Sequence, residues 1–177
     1  PNCDNDSIVT GAQKFGIDTK KEGMLYGAIS NPPAHGLKLG EFDDSAALNV
    51  PGVKRVISWN DKVAVLATTN YAAFKGKEAL RINWKENGER ESTTRLNSEF
   101  ARMIDNETGE TKRKVGDVHA GLKKAAKTIE AVYEVPFIAH APMEPINMYA
   151  DVKEDSAYLL GPTLTPERAR QAAAKIL

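Results

Sequence analysis

The chain has 177 residues and a mass of 19.3 kDa, enough for one domain or for one domain and part of another. Its composition, 41% hydrophobic and 27% charged, excludes collagen-like and disordered proteins. Lysine plus arginine equals aspartate plus glutamate, 24 against 24, so the net charge gives no reason to expect a nucleic-acid partner. No apolar run of about 18 residues occurs, so no membrane span is predicted. The single cysteine, Cys3, excludes an intrachain disulfide.

Residues 15–84 predict a mixture of strands and one helix. The Asn60-Asp61 pair predicts a tight hairpin between two of the strands. Gly76 lies inside the predicted helix and weakens it by up to about 1 kcal/mol. This mixture indicates an α+β unit with a mixed sheet. Strands are predicted for Met24–Ile29, Val53–Trp59, Val63–Ala67 and Leu80–Trp84, and the helix for Tyr71–Ala79.

Residues 85–114 form a polar insertion or linker, since fourteen of these 30 residues are charged. Its large apolar residues fall at positions i, i+4, i+7 and i+8, which predicts an amphipathic helix around Leu96–Ile104. The basic run Lys112-Arg113-Lys114 permits two interpretations, a phosphate-binding element or part of a solvated linker. The solvated linker is the favoured interpretation.

Residues from 116 onward predict further helices and strands. Asp117 is a good N-cap for a helix, and Thr165-Pro166-Glu167 is a typical helix start. Strands are predicted for Ile129–Val135, and for Met148–Val152 paired with Ala157–Leu160. The last helix ends on Ile176-Leu177 without a C-cap glycine. We therefore expect the chain to be part of a longer protein, with sequence missing at both ends.

The chain lacks the common catalytic and nucleotide-binding motifs. Neither a glycine-rich nucleotide loop nor a Gly-x-Ser-x-Gly elbow occurs. His35, His119 and His140 are not at metal-ligand spacing from one another or from Cys3, which favours structural or surface roles. We therefore expect no catalytic residue and no metal site within the chain.

The loop His140–Asn147 is the stretch with the most chemical potential. His140 and Glu144 are four residues apart, but Pro142 between them makes a helical acid/base or metal pair improbable. Two stiff prolines and two titratable groups in a short loop are compatible with the wall of a functional site. A structural loop is the favoured interpretation, and the wall of a functional site is the alternative. A small hydrolase built on His140 and Glu144 would need a nucleophile or metal set that the sequence does not supply.

Several stretches resemble the large subunits of molybdenum hydroxylases, the family of xanthine dehydrogenase and aldehyde oxidase. The resemblance covers roughly residues 8–177 and is weakest over 85–114. The stretch Ala131–Asn147 resembles the entry to the molybdopterin-binding region, and within it Tyr133–Asn147 is the specific part. Its sequence is closest to the isoquinoline 1-oxidoreductase β-subunit and membrane-bound aldehyde dehydrogenase branch. The motifs that resemble the α/β hammerhead domain are Lys14–Asp18, Gly23–Ala28, Asp44–Val53 and Tyr71–Trp84.

The resemblance implies a division into two domains and a bacterial oxidoreductase. Residues 1–115 would form the α/β hammerhead domain, and 116–177 the start of the molybdopterin-binding domain. The full-length protein would use molybdopterin to hydroxylate an aldehyde or N-heterocyclic carbon with oxygen from water. This stretch alone would bind no cofactor and be inactive, because the catalytic glutamate and most cofactor loops of relatives lie further along the chain.

The resemblance also assigns a position near the metal to Thr163 and Leu164. Relatives read roughly Pro-Thr-Gln-x-Pro where this chain reads Pro162–Pro166, and the glutamine donates a hydrogen bond near the molybdenum oxo group. Leu164 cannot donate one. Either the register differs by one residue, or the metal is tuned differently, or activity is lost. Loss of such a donor costs roughly 10- to 100-fold at metal sites.

The partners implied are a small-molecule substrate, an iron–sulfur electron-transfer subunit and the rest of the same large subunit. Members of this branch are often exported folded, which slightly favours the periplasm over the cytoplasm. An alternative to the enzyme is a degenerate or stand-alone hammerhead module that acts in binding or subunit assembly. Leu164 is the residue that best supports this alternative.

Overall fold

The structure, a computed structural model, describes residues 3–88, 91–106 and 109–176. The chain divides into two compact units, which we call the central unit (Gly23–Glu130) and the terminal unit (Pro1–Glu22 with Ala131–Leu177). The domain boundary at residues 115 and 116 stays a prediction. Leu177 and four residues of the predicted polar insertion lie outside the described residues.

The helices and strands alternate along the chain in no simple repeat. In order they are α1 (Asn5–Val9), a 3-10 helix (Gly16–Asp18), β1 (Tyr26–Ser30), β2 (Leu37–Asp43), α2 (Ser45–Leu48), β3 (Val53–Trp59), β4 (Lys62–Ala67), α3 (Asn70–Ala79), β5 (Arg81–Glu86), α4 (Thr93–Asn106), α5 (Val118–Lys124), β6 (Tyr149–Val152), β7 (Ala157–Leu160) and α6 (Pro166–Ala174). The α+β class is confirmed.

The strands form three small sheets. In the central unit β1, β4 and β3 make a three-stranded sheet in the order β1-β4-β3, and β2 pairs with β5. In the terminal unit β6 pairs with β7. All of these pairings are antiparallel, so the expected mixed sheet is not seen in the described residues. The reason is that β4, α3 and β5 do not make a parallel crossover, because β5 pairs with β2 instead of returning to the sheet of β4.

The predicted hairpin at Asn60-Asp61 is confirmed, with Trp59 opposite Lys62 on the two strands. Asn60 adopts a positive φ of 47°, a conformation that asparagine tolerates better than most residues. The side chain of Asp61 then accepts a hydrogen bond of 3.1 Å from the backbone N–H of Leu39. The turn therefore ties strand β2 to the β3–β4 hairpin.

The core of the central unit lies between β4 and α3. Val63 and Val65 are fully buried, and Ala72 and Ala73 of α3 are buried with them. A Cβ added to Gly76 would stand 2.7 Å from Val65 Cγ1 and 2.8 Å from a Val53 methyl carbon. The glycine that weakens the isolated helix is therefore the residue that lets the helix approach the sheet.

One predicted strand is wrong, and two elements of the structure were not predicted. The strand predicted for Ile129–Val135 is wrong, since these residues form neither helix nor strand. Apolar alternation is not enough for a strand, which also needs a neighbouring strand to pair with. Strand β2 and the short helix α2 were not predicted, because β2 contains Gly40, a residue disfavoured in strands. Gly40 is required there, since a Cβ would stand 2.6 Å from the main-chain oxygen of Asn83.

The remaining helix predictions are confirmed with one difference in capping. The amphipathic α4 forms, and Asp117 caps α5 by accepting a 3.0 Å hydrogen bond from Ala120 N–H. Thr165 is the N-cap of α6, but its side chain makes no capping hydrogen bond. In the last helix Ala169 and Ala173 are half-buried, and Ile176 just after it is exposed.

We predict that Gly76→Ala lowers the free energy of unfolding of the central unit by about 1–3 kcal/mol, the range of overpacked cores, because two valine side chains must move. Urea unfolding followed by tryptophan fluorescence measures this, since both tryptophans, Trp59 and Trp84, lie in this unit. Gly121→Ala in α5 is the control, because nothing lies within 4 Å of its added Cβ. Equal effects of the two substitutions would contradict the packing argument.

We also predict that Thr69→Ala lowers the free energy of unfolding by about 1 kcal/mol, a typical loss for an N-cap. The Thr69 hydroxyl oxygen accepts a 3.1 Å hydrogen bond from Ala72 N–H at the start of α3. Thr69→Ser keeps that oxygen and serves as the control in the same urea titration. A serine variant as unstable as the alanine variant would show that the methyl group, and not the cap, is responsible.

Candidate functional site

The loop His140–Asn147 is irregular, as its prolines predict, and contains a backbone outlier. Ala141 has a φ of +40°, a left-handed conformation that is rare for alanine. The proline that follows it restricts this residue further. Such strain costs of order 1–3 kcal/mol and persists where the surrounding structure fixes the chain. The outlier marks this loop as one whose path is set by contacts elsewhere in the terminal unit.

Glu144 supplies such a contact. Its Oε1 accepts a hydrogen bond of 3.3 Å from the backbone N–H of Ile17, 127 residues away in sequence. The same oxygen accepts a hydrogen bond of 2.9 Å from the side-chain amide of Asn147. That amide also donates to the main-chain oxygen of Pro145 at 2.8 Å. One half-buried carboxylate therefore joins the 3-10 helix near the start of the chain to the loop before β6.

Hydrogen bonds between Phe15 and Asp18 hold the 3-10 helix in the conformation in which the Ile17 N–H donates to Glu144. Asp18 accepts a 3.0 Å hydrogen bond from the Phe15 N–H through its side chain. The Asp18 N–H in turn donates to the Phe15 main-chain oxygen at 3.0 Å. The first bond is the half of a capping box that an acidic residue at the third helical position supplies, and the second is the backbone bond of the 3-10 turn. The motif Lys14–Asp18 is thus a rigid element that points one backbone donor at Glu144.

Two glycines, Gly16 and Gly161, allow their segments of the terminal unit to lie close to Asn147. A Cβ on Gly16 would stand 2.5 Å from Asn147 Oδ1 and 3.2 Å from Pro162 Cδ. A Cβ on Gly161 would stand 2.7 Å from the main-chain oxygen of Asn147. Residues 15–18, 144–147 and 161–162 therefore converge on Asn147. We call this arrangement the Glu144–Asn147 junction.

Thr163 and Leu164 follow the junction directly and lead into α6. The Thr163 hydroxyl accepts a 3.1 Å hydrogen bond from Thr165 N–H, and Leu164 is fully exposed. In α6 the hydrogen bonds that Arg170 and then Gln171 donate to Glu167 hold the pKa of that carboxyl below its usual value. The role of Thr163 and Leu164 near a cofactor stays a prediction.

Of the two titratable residues in the predicted loop, one makes hydrogen bonds and the other is exposed. Glu144 is bound to Ile17 and Asn147, whereas His140 is exposed. The residues that sequence reasoning missed are Gly16, Asn147 and Gly161. The available signal was the pair of glycines in otherwise ordered stretches, which marks close backbone approach. Their common neighbour could be recognised only from the tertiary structure.

Two features are absent from the part of the chain that the structure describes: a cluster of side chains that could hold a metal ion, and a helix that could span a membrane. It contains no group of three or more histidine, cysteine, aspartate or glutamate side chains placed to hold a metal ion. None of its helices combines the length and the apolar character needed to cross a bilayer. In the same residues, every fully buried side-chain nitrogen or oxygen has a hydrogen-bond partner.

Comparison with known proteins finds relatives by sequence, although no family model matches the chain. Isoquinoline 1-oxidoreductase subunit beta of Brevundimonas diminuta is 28% identical over 159 residues, covering 82% of this chain and 20% of the relative. Membrane-bound aldehyde dehydrogenase [pyrroloquinoline-quinone] of Gluconacetobacter polyoxogenes is 29% identical over 154 residues, covering 81% and 20%. The chain thus spans about one fifth of the length of these relatives.

Two solved structures align with about half of the chain. A Cu,Mo-CO dehydrogenase covers 48% of it at 17% identity, and quinoline 2-oxidoreductase from Pseudomonas putida 86 covers 49% at 16%, each with a TM-score of 0.41. Scores of this size are too low to establish a common fold. The sequence relatives confirm the resemblance that the motifs predict: the chain is similar to the isoquinoline 1-oxidoreductase branch of the molybdenum hydroxylase large subunits.

Proposed function

We propose that this chain is part of the large subunit of a molybdopterin-dependent oxidoreductase. The whole protein would hydroxylate an aldehyde or an N-heterocyclic carbon with oxygen taken from water. The observation that carries the proposal is the similarity over 82% of the chain to isoquinoline 1-oxidoreductase subunit beta. This stretch contributes the hammerhead domain and the start of the molybdopterin-binding domain, and is inactive alone.

The surface of the terminal unit supports a place within a larger protein. None of its described residues, 3–22 and 131–176, is buried. Apolar side chains stay exposed along the segment that leads to β6, with exposed fractions of 87% for Val132 and 82% for Phe137. Exposed apolar patches of this kind mark interaction surfaces. In our proposal the rest of the large subunit covers this segment.

The residues near the predicted cofactor position fit that role unequally. The Thr163 hydroxyl accepts one hydrogen bond from Thr165 N–H and keeps its own hydrogen for donation. It is therefore suited to donate to an oxygen or sulfur of a bound pterin. Leu164 offers an apolar side chain and no donor. The cofactor, when bound, supplies the redox chemistry, and the residues of this chain orient it and shape its surroundings.

The proposal includes three partners and a compartment. Electrons leave through an iron–sulfur subunit, the substrate is a small molecule, and the rest of the large subunit completes the site. The periplasm is the favoured compartment, because relatives of this branch are often exported after folding. No residue described above is assigned to catalysis. The chain's part is to position a loop and to cover one side of the site.

A second candidate follows from the name of the other relative. That protein is called a membrane-bound aldehyde dehydrogenase [pyrroloquinoline-quinone]. The second candidate is therefore an aldehyde dehydrogenase whose cofactor is a quinone, and analysis of the purified protein measures which cofactor is present. A third candidate is the stand-alone hammerhead module that acts in binding or assembly, which Leu164 favours. The three candidates differ in what the purified protein contains.

We predict that the full-length protein, purified from its own host, contains about one molybdenum per large subunit by mass spectrometry of the metal. In water labelled with oxygen-18 it should oxidise isoquinoline or benzaldehyde with an artificial electron acceptor and place one labelled oxygen in the product. Benzaldehyde must be followed early, because aldehydes exchange oxygen with water, so isoquinoline is the cleaner probe.

Each alternative gives a different result in the same preparation. Quinone cofactor without molybdenum would replace the proposal by the second candidate. Absence of both cofactors, with no oxidation of either probe, would support the binding module. Pulldown of an iron–sulfur protein with the molybdenum-containing preparation would support the electron-transfer partner, and a molybdenum-containing preparation from the native host that carries no iron–sulfur protein would contradict it.

A further inference from the structure

We infer that Glu144 is a positioning residue that holds the loop 161–164 in place through Asn147. The inference concerns the terminal unit itself, and it rests on the proposed function only where it links this loop to cofactor chemistry. It assigns a role to a carboxylate that the proposed reaction does not use. Three observations carry it.

The first observation is the pattern of donors around Glu144. Oε1 accepts from Ile17 N–H at 3.3 Å and from the Asn147 amide at 2.9 Å. Both groups are donors, and an ionised carboxylate offers only acceptors, so the match is complementary. Hydrogen bonds to an ionised acceptor are stronger than those between neutral groups. The carboxylate therefore fixes both the start of the chain and the Asn147 side chain.

The second observation is the position of Asn147 between two segments. Its Nδ2 is held by Glu144 and by the main-chain oxygen of Pro145. The opposite atom of the amide, Oδ1, faces Gly16, while the main-chain oxygen faces Gly161. With the amide nitrogen held, the oxygen cannot exchange places with it. Glu144 and the Pro145 oxygen together fix the Asn147 side chain, whose Oδ1 lies beside Gly16, as does Pro162 Cδ, and through this contact the segment at residues 161 and 162 depends on Glu144.

The third observation is the strained residue at the start of the loop. Ala141 holds a φ of +40° directly before Pro142. Strain at such a position relaxes unless contacts on the far side of the loop oppose it. The hydrogen bonds of Glu144 are contacts of that kind. Loss of the carboxylate would release the loop and the segment that leans on Asn147.

The experiment compares variants of the full-length protein by hydrogen–deuterium exchange and by kinetics. Glu144→Ala should raise the amide exchange rates of residues 161–165 about tenfold, the effect of losing one hydrogen bond of ordinary strength. Glu144→Gln keeps Oε1 as an acceptor and should retain most of the protection. Glu154→Ala is the matched control, because it removes an exposed glutamate from the turn between β6 and β7. It should leave the exchange rates of residues 161–165 unchanged.

The kinetic measurement separates positioning from loss of structure. With isoquinoline as the probe, Glu144→Ala should lower kcat about tenfold at unchanged molybdenum content, while KM stays within about twofold. Glu144→Gln should recover most of kcat. Asn147→Ser is the second variant, for the case that Glu144→Ala does not fold. It removes the amide and leaves Glu144 bound to Ile17. It should raise the exchange rates of residues 161–165 by the same factor as Glu144→Ala.

Unchanged exchange in residues 161–165 of both Glu144→Ala and Asn147→Ser would overturn the inference. A fall in kcat that only follows a fall in molybdenum content would overturn its link to cofactor chemistry. If the unmodified protein holds no molybdenum, the proposed function fails by itself. The exchange measurement then still decides the role of Glu144 in holding the loop.

Discussion

The close approach of α3 to the sheet is the constraint on which the central unit depends. Ala72 and Ala73 form one buried cluster with Ala28 and Ala67 of the sheet, and Gly76 lets the helix lie against Val65 and Val53. Small residues on the helix and β-branched residues on the strand make a thin, well-packed core. The turn at Asn60-Asp61 then attaches β2, because Asp61 accepts from Leu39 N–H. A single packing contact therefore orders most of this unit.

The terminal unit is organised by different forces. None of its described residues is buried, and its segments are joined by hydrogen bonds and glycine contacts at the Glu144–Asn147 junction. Polar contacts at half-buried positions contribute little net stability, but they are directional and set geometry. A unit of this kind is better suited to hold loops in register than to fold independently. This agrees with our proposal that it forms part of a larger protein.

The similarity to longer oxidoreductases gives these two units a common interpretation. The relatives are about five times as long as the matched region, so most of their length lies outside it. What this chain offers is a packed unit, an exposed apolar segment and a loop whose position is controlled by one carboxylate. Leu164, which follows that loop, is fully exposed.

The sequence by itself determined the α+β class, the hairpin at Asn60, the Asp117 cap of α5 and the family resemblance, because these depend on local turn chemistry, periodicity and sequence motifs. Only the tertiary structure decided the rest. The alternation of residues 129–135 favours a strand, but no strand pairs with it there. Gly76 costs stability in an isolated helix and is required once the helix meets Val65. Glu144 binds Ile17, 127 residues away, and no local pattern encodes a contact between segments so distant in the chain.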